Sequence, residues 1–293
     1  MYKQALIGCG SAAQQYLRQL AAESEIVAVC DIDQSKSSSL ASELGCLSYS
    51  DIGSLLSEVP FDALVVCTPT GLHAEHSIKA LQAGRDVLCS PPLCLTSAAA
   101  WQITETEKYC GKKLNVLGCE FGELVATLKD NIHAGSLQEN ISIDGEVAAA
   151  QDPASWRYQQ FPGGGHLYNS LYSVVAALTR VLGKVQTAQT VLQTNADPQQ
   201  IEKAGHSIVS FEKGSVLQLN WLETNTAGSC QLTICSLSKK TVLHYDERTL
   251  SSEVSGLTAN ASSLSLTSLE EARSIVENIE KIYAGAQSKP DAT

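Results

Sequence analysis

The sequence predicts a two-domain protein, with an α/β domain at the N-terminus followed by an α+β domain. Three observations support this prediction. Short apolar runs alternate with helical patterns over residues 1–119, a glycine-rich turn follows the first apolar run, and extended segments dominate residues 120–293. A chain of 293 residues has the length of two ordinary domains, each large enough to bury a core.

The N-terminal region alternates buried strands with helices. Each predicted strand is apolar throughout, which is typical of a parallel strand covered by helices on both faces. Glycines end three of the helices, because the residue after a helix is commonly left-handed and glycine adopts that conformation without strain. This alternation implies a parallel sheet with right-handed crossovers. The predicted strands are 6–7, 26–30, 63–67, 87–89 and 114–117, and the predicted helices are 13–21, 35–44, 72–83 and 97–110.

Residues 120–293 predict an α+β domain built around a mostly antiparallel open sheet. Glu212-Lys213-Gly214 predicts a hairpin turn between two of its strands. One helix is expected from about Gly165 to Leu182, with a buried apolar stripe. A last helix, about 268–284, is expected to pack back on the first domain and to precede a polar tail. The predicted strands are 141–150, 185–194, 207–211, 216–222, 231–235 and 241–245.

The charge balance argues against nucleic acid and anionic membranes as partners. The chain carries 31 acidic and 20 basic residues, for a net charge of -11, whereas nucleic-acid binding needs a basic face. No apolar run has the roughly 18 residues that a membrane-spanning helix requires. The first residues lead directly into a strand pattern and lack a signal-peptide pattern. We therefore expect a cytoplasmic protein.

Ten cysteines raise the question of disulfides or of a metal site. Several of them lie in predicted buried strands, where a free cysteine behaves as a small apolar residue. The sequence contains no C-x-x-C pair, and the other spacings lack the usual zinc pattern. We expect buried thiols in a reducing compartment and no metal.

A glycine-rich turn, Gly8-Cys9-Gly10-Ser11-Ala12-Ala13, follows the first strand and opens the first helix. In such a turn the first glycine permits a tight bend, and the second lets the backbone approach a pyrophosphate. The third small residue lets helix and strand pack closely, and the helix N-terminus faces the negative phosphates. The pattern predicts a dinucleotide cofactor bound by Gly8, Gly10, Ser11 and Ala12.

Asp31 ends the second predicted strand, about 20 residues after the glycine turn, where a carboxylate can bind the adenosine ribose hydroxyls. No arginine follows in Ile32-Asp33-Gln34-Ser35, which favours NAD over NADP. The alternative is a glycine turn in another α/β fold, with Asp31 as a solvated strand end. The combination of strand, helix and acidic residue favours the dinucleotide site.

Motifs along nearly the whole chain resemble the Gfo/Idh/MocA family, named for glucose-fructose oxidoreductase, inositol dehydrogenase and MocA. The motifs are Gly8-Cys9-Gly10, Asp31-Ile32-Asp33, Cys67-Thr68-Pro69-Thr70 with His73, Gly84 to Pro92, and Trp156-Arg157 leading to Gly163-Gly164-Gly165. The closing helix, with Glu270-Glu271-Ala272, is also typical of that family.

The resemblance implies a Rossmann domain that binds NAD(P), spanning residues 1–119. It also implies a second domain, 120–293, whose open sheet serves the substrate and often forms homo-oligomers. Thr68, Pro69 and His73 fall where the family lines the nicotinamide-ribose side of the cofactor. Ser90 and Pro91 fall in the motif that faces the same region, and the family's sharp turn there predicts a cis Pro91-Pro92 peptide.

The departures from the family concern proton transfer. Pro91 stands where the family has the lysine of Glu-Lys-Pro, and Ser90 stands where it has the glutamate. Asn169 and Ser173 occupy the positions of a common aspartate and histidine. None of these replacements titrates near neutral pH, whereas hydride transfer at a hydroxyl carbon needs a proton donor or acceptor.

His166 is the best remaining acid-base group, since helical spacing would place it on the same face as Asn169 and Ser173. We therefore predict His166, Asn169 and Tyr172 as catalytic residues, with Arg157 and Ser173 as substrate contacts. Arg157 could hold a carboxylate or phosphate by bidentate bonds. The alternatives are a helix-start histidine bonded to backbone or water, a core tyrosine and a structural arginine.

Two functions follow from these observations. The first is an NAD(P)-dependent oxidoreductase of this family that acts on an unknown small molecule with a non-standard proton donor. The second is a non-catalytic nicotinamide-binding regulator or partner subunit of the same fold. The lost proton-transfer groups favour the second, and the fold favours the first.

Overall fold

The computed structural model describes residues 2–118, 125–126, 129, 140–148, 155–224, 229–235, 240–246 and 266–289. The chain divides into two compact units. The first comprises Met1–Glu120 with Ser255–Arg273, and the second comprises Phe121–Val254 with Ser274–Thr293. None of the described helices combines the length and the apolar character that crossing a membrane requires.

The first unit contains a seven-stranded sheet in the order β13-β6-β5-β4-β1-β2-β3. Strands β1 to β6 pair in parallel, and β13 is antiparallel to β6. The predicted parallel sheet is therefore confirmed. Strand β3 was not predicted, because it is only three residues long and lacks a run of buried residues. The strands are β1 Lys3–Ile7, β2 Glu25–Cys30, β3 Leu47–Tyr49, β4 Ala63–Val66, β5 Asp86–Cys89, β6 Leu114–Leu117 and β13 Leu266–Ser268.

Five helices connect these strands. Gly45 and Gly111 end two of them in the left-handed conformation, with φ of 68° and 64°. Side chains of Asp33, Asp51 and Thr96 accept backbone N–H groups at three helix N-termini. The helices are α1 Ser11–Glu23, α2 Gln34–Leu44, α3 Ile52–Glu58, α4 His73–Gln82 and α5 Ser97–Cys110, with a 3₁₀ turn at Thr70–Leu72.

The second unit contains another seven-stranded sheet, in the order β12-β11-β7-β10-β9-β8-β14. Four of its ladders are antiparallel, and β7–β10 and β8–β14 are parallel, so the predicted mostly antiparallel sheet is confirmed. Strand β14 arises where the sequence predicts a polar tail. The strands are β7 Asn140–Ala148, β8 Val185–Gln193, β9 Ala204–Phe211, β10 Val216–Thr224, β11 Ser229–Cys235, β12 Lys240–Asp246 and β14 Ala286–Lys289.

The described helices of the second unit include α6 Gln160–Gly163, α7 Tyr172–Leu182 and α8 Leu269–Ala284, which continues from the first unit, and a 3₁₀ turn lies at Trp156–Tyr158. The start of α7 differs from the prediction of about Gly165. Residues 165–171 form consecutive turns, in which the amides of Tyr168 and Asn169 bond three residues back. The left-handed φ of 109° at Gly165 is incompatible with a helix starting there.

Candidate functional site

The glycine turn after β1 contains one glycine that no other residue could replace without strain. Gly8 has φ of 91°, and a Cβ atom there would lie 2.6 Å from the carbonyl carbon and oxygen of Cys67. Its amide donates to the Cys30 carbonyl at 2.8 Å. The turn is thus packed against the ends of two neighbouring strands, β2 and β4.

The second glycine of the turn faces open space. Gly10 precedes α1, and a Cβ atom there would meet no protein atom within 4 Å. Ser11 and Ala12 begin the helix, and its first turn carries no acidic side chain. A helix N-terminus has unpaired amides and partial positive charge, so this geometry fits a pyrophosphate.

Asp31 follows β2 and is braced by two backbone amides. Its Oδ2 accepts from the Cys9 amide at 2.7 Å, and its Oδ1 accepts from the Asp33 amide at 2.9 Å. Carboxylate oxygens have further lone pairs, so ribose hydroxyls could still be bound. The side chain of Ile32 is 95% exposed beside it, and Lys36 pairs with Asp33 at 3.4 Å.

The loops after β4 and β5 are joined by a buried histidine. His73 Nδ1 lies 2.7 Å from the Pro92 carbonyl, and its Nε2 lies 2.6 Å from the Thr68 carbonyl. Burial lowers the pKa of His73 to about 4. Both ring nitrogens face protein carbonyls, so His73 would act on a cofactor through the loops it holds. Pro69 lies between these contacts, and Thr68 Oγ1 bonds His76 Nδ1 at 3.0 Å.

The segment after β5 contains Pro91, the residue that the resemblance aligns with the family lysine. The Ser90 amide donates to the Val66 carbonyl at 2.8 Å, and its side chain is buried. Pro91 is partly exposed, and the Pro91-Pro92 peptide is cis, which confirms that prediction. Neither Pro91 nor Ser90 offers a group that titrates near neutral pH. The assignment of these residues to a cofactor stays a prediction.

In the second unit, Asn169 holds the triple-glycine loop. Its Nδ2 donates to the carbonyls of Arg157 and Gly163 at 3.2 Å each and of Gly165 at 3.0 Å. An aspartate would place a carboxylate oxygen against these carbonyls, because it has no side-chain donor when ionised. Asn169 therefore suits this loop structurally where a family aspartate would not.

His166 is 1% exposed, and neither ring nitrogen has a hydrogen-bond partner in the described structure. Burial lowers its pKa to about 4, and the Glu202 backbone, which lies near the ring without a well-formed hydrogen bond, partly offsets that effect. The imidazole is therefore neutral at pH 7. A neutral imidazole presents one donor and one acceptor, which a water or a ligand could satisfy.

The remaining predicted residues of this unit lie in different environments. Tyr172 and Ser173 begin α7 and are buried. Arg157 is exposed, with its guanidinium 5.2 Å from the ring centroid of Trp156. Because residues 165–171 form turns, His166 does not share a helix face with Asn169 and Ser173, although the sequence had predicted that it would.

Glu202 and Tyr283 form a buried pair that was not predicted from the sequence. Glu202 is 6% exposed, and its Oε1 accepts from the Tyr283 hydroxyl at 2.6 Å. Burial raises the pKa values of both groups. No local pattern singled out either residue, since their partners come from distant parts of the chain.

The geometry of the first unit agrees with a family-level match. The model of the Gfo/Idh/MocA oxidoreductases, described as an NAD-binding Rossmann fold, matches residues 2–117. This chain resembles that family over residues 2–117, with Pro91 where the resemblance places the family lysine. Its first unit is an NAD-binding Rossmann domain, which confirms the predicted cofactor class.

The chain matches its curated relatives over part of their length. D-glucoside 3-dehydrogenase of Escherichia coli K12 is 28% identical over 227 residues, which is 69% of this chain and 63% of that protein. Inositol 2-dehydrogenase 3 of Saccharopolyspora erythraea is 33% identical over 116 residues, 39% of this chain and 34% of that protein. The matches therefore span less than two thirds of these relatives.

Solved structures match over nearly the full chain. The WlbA dehydrogenase from Bordetella pertussis, in complex with NADH and UDP-GlcNAcA, has a TM-score of 0.81 and 19% identity, covering 97% of this chain and 96% of that one. KijD10, a 3-ketoreductase from Actinomadura kijaniata in complex with NADP and TDP-benzene, has a TM-score of 0.72 and 18% identity, covering 99% of each chain. At these identities the likeness concerns the fold.

Proposed function

We propose that this chain is an NAD-dependent oxidoreductase that acts on a small molecule and uses a proton donor other than the family lysine. The geometry of the glycine turn after β1 is the observation on which this proposal rests. Gly8 is packed against Cys67 where only glycine fits, and Gly10 leaves the N-terminus of α1 open. The two features together suit a pyrophosphate at the N-terminus of α1.

The bound nicotinamide would supply hydride transfer, and the residues of the first unit would orient it. Asp31 would bind the adenosine ribose, and the amides of Ser11 and Ala12 would face the pyrophosphate. Thr68, Pro69, Ser90 and Pro91 would line the nicotinamide side, with His73 holding their two loops together. The braced carboxylate of Asp31 would repel a 2′-phosphate, so NAD is proposed over NADP.

His166 is proposed as the group that replaces the family acid-base residues. Its neutral imidazole can donate a hydrogen bond to an oxygen on which negative charge develops. Tyr172, Asn169 and Ser173 lie nearby in sequence and are proposed as supporting residues, and Arg157 as a contact for an anionic part of the substrate.

The second candidate is a non-catalytic nicotinamide-binding regulator or partner subunit. Two observations favour it. Pro91 offers no proton at the lysine position, and the Asn169 amide is already engaged with three loop carbonyls. Under this candidate the cofactor would bind and no substrate would turn over.

The deciding experiment follows NADH formation and consumption across polyols, keto sugars, imines and tetrapyrroles, alongside calorimetric titration with NAD. Turnover of one class, lost in His166→Gln and retained in the control His206→Gln, supports the enzyme. His206 is a suitable control because its ring already bonds Asn220 within the sheet. Tight NAD binding without turnover of any compound supports the regulator.

A homo-oligomer through the open face of β8, β9 and β10 is also proposed. Four apolar side chains on this face are between 38% and 52% exposed, and its positions carry no Lys, Arg, Asp or Glu in the described strands. In a chain of net charge -11, such a face suits a second copy, because self-association elsewhere would bring like charges together. The apolar side chains are Val191, Ile208, Val216 and Leu222.

Sedimentation velocity tests this assembly. Ile208→Lys should lower the sedimenting mass to that of the single chain, because a buried unpaired charge is costly. The control Leu47→Lys, on an exposed residue of β3, should leave the mass unchanged. A wild-type chain that sediments as a monomer contradicts the proposal.

A cytoplasmic location and a domain division near residue 119 complete the proposal. The seven cysteines whose side chains the structure describes are all free thiols, which supports a reducing compartment. Within the first unit, β13 pairs with β6, and the Arg273 guanidinium lies 4.1 Å from the ring centroid of Trp101. These contacts support a last helix that begins on the first domain.

A further inference from the structure

A buried carboxyl in the second unit gathers three donors on one oxygen. Glu202 Oε1 accepts from the His166 amide at 3.1 Å, from Trp221 Nε1 at 3.2 Å and from the Tyr283 hydroxyl at 2.6 Å. Trp221 lies on β10 and Tyr283 on α8, so the donors come from separate elements. Glu202 thereby joins the strand region and the last helix to the turn that carries His166.

The turn is also held from a second direction. The Leu167 amide donates to the Tyr283 hydroxyl at 3.1 Å. A Cβ atom at Gly165 would lie 2.3 Å from that hydroxyl and 2.9 Å from Glu202 Oε2. Glycine at 165 therefore lets the turn press directly on the Glu202–Tyr283 pair, and two successive amides, at 166 and 167, are fixed by it.

The side chain on this braced turn is costly to bury. An unpaired buried polar atom costs about 1–3 kcal/mol, and neither ring nitrogen of His166 has a well-formed hydrogen bond in the described structure. Such a cost is tolerated mainly at functional positions, where a ligand or an ordered water supplies the missing bonds. The backbone that presents this imidazole is held at two successive amides by Glu202 and Tyr283.

We propose that Glu202 is a positioning residue, which fixes the turn so that the His166 imidazole meets a hydroxyl or carbonyl oxygen of the bound substrate. This inference rests on the proposed role of His166 and deepens it. Glu202 acts through the backbone amide of residue 166 and does not itself touch the reacting atoms. To position the turn in this way, the side chain at residue 202 needs an oxygen that accepts the hydrogen bond of this amide.

Two substitutions separate the acceptor oxygen from the rest of the side chain. Glu202→Gln keeps a carbonyl oxygen as an acceptor, whereas Glu202→Ala removes it. Tyr283→Phe removes only the hydroxyl that Leu167 and Glu202 share. Glu212→Ala, which deletes an exposed carboxylate of the same unit, is the matched control.

The readout is the imidazole of His166 itself, observed by NMR with ¹⁵N-labelled histidine. Because the chain has six histidines, His166→Gln assigns the signal. In the wild type and in Glu202→Gln and Glu212→Ala, the ring should stay neutral down to a pH well below 6. In Glu202→Ala and Tyr283→Phe, its titration midpoint should move up towards the ordinary value of about 6.5 as the turn loosens.

An unmoved His166 midpoint in a folded Glu202→Ala protein overturns the proposal. If Glu202→Ala does not fold, Tyr283→Phe decides, and an unmoved midpoint there overturns it equally. A midpoint that moves as much in Glu202→Gln as in Tyr283→Phe also contradicts it, because charge rather than the acceptor oxygen would then matter.

Turnover distinguishes failure of this inference from failure of the proposed function. Absence of turnover by the wild type contradicts the enzyme while the NMR readout still tests the turn. Where a substrate is found, Glu202→Ala should lower kcat at least tenfold with NADH affinity unchanged. Glu202→Gln should keep most of the wild-type kcat. Equal loss in both variants contradicts the positioning role.

Discussion

The backbone amide of Cys9 donates to Oδ2 of Asp31 at 2.7 Å, so one carboxylate braces the glycine turn from which a cofactor would be bound. The same side chain is expected to contact the adenosine ribose. Cofactor preference and turn geometry are therefore coupled through Asp31, and a substitution there changes both.

Asp31→Ala should weaken NAD binding about 10- to 100-fold, since a hydrogen bond to a charged group contributes about 1.5–3 kcal/mol. NADP binding should change less, because the repulsion of its 2′-phosphate is removed at the same time. The wild type should prefer NAD, and the variant should lose that preference. Titration calorimetry with both cofactors measures the ratio, and Asp51→Ala, which deletes a helix cap in the same unit, should not change it.

Gly10→Ala should mainly weaken NAD binding, whereas Gly8→Ala should mainly destabilise the fold. At Gly10, with φ of -84°, a methyl group meets no protein atom, so the free energy of unfolding should hardly change while NAD affinity falls at least tenfold. At Gly8, a methyl group would meet Cys67 at 2.6 Å, so the variant should unfold at lower denaturant or not fold. Urea unfolding and NADH fluorescence titration separate the two effects, and a Gly10→Ala protein that binds NADH normally would contradict the pyrophosphate site.

Oxidation of simple sugars and inositols should be undetectable or very slow. General acid-base assistance is typically worth roughly 10²- to 10⁴-fold, and Pro91, Asn169 and Ser173 offer none of it. The measurement is NADH formation with glucose, glucosides and inositols at millimolar concentration. Robust oxidation of any of them by the wild type would contradict the alignment of these positions with the family's catalytic residues.

Acid should destabilise the fold through its buried histidines. The pKa values of His73 and His166 fall from about 6.5 to about 4 on folding, so between these values the unfolded chain binds protons that the native chain does not. Stability is therefore complete above pH 6.5 and declines as the pH falls towards 4, by up to about 1.4 kcal/mol per pH unit for each histidine. Urea unfolding at pH 7.5 and 5.0 measures the loss, which should be smaller in His166→Gln.

Asn278→Ala should destabilise the second unit strongly. The Asn278 side chain accepts from the Val185 amide at 2.8 Å and donates to the Thr179 hydroxyl and the Gly183 carbonyl at 3.0 Å each. Its removal leaves three buried groups without this partner, at a cost of at least about 2 kcal/mol. Asn195→Ala, which loses a single bond of 3.3 Å, should cost less in the same urea experiment. Equal losses would mean that the Asn278 bonds contribute little.

Local patterns in the sequence predicted the parallel sheet, the glycine turn and Asp31. Each depends on residues adjacent in the chain. Apolar runs identify strands covered on both faces, and glycines mark the turn and the helix ends. The helix face drawn through His166, Asn169 and Ser173 was wrong, because the left-handed Gly165 is followed by turns and the helix begins only at Tyr172. The catalytic roles of these residues stay a prediction.

The sequence alone therefore determined the fold class, the glycine turn after β1 and the class of cofactor. Tertiary structure decided which polar side chains hold the second unit together. Strand β14 pairs with β8 through backbone hydrogen bonds, which do not require an apolar pattern. Glu202 depends on donors from residues 166, 221 and 283, which only folding brings to one oxygen. A buried carboxyl is stable only where such donors converge, and no local spacing encodes that convergence.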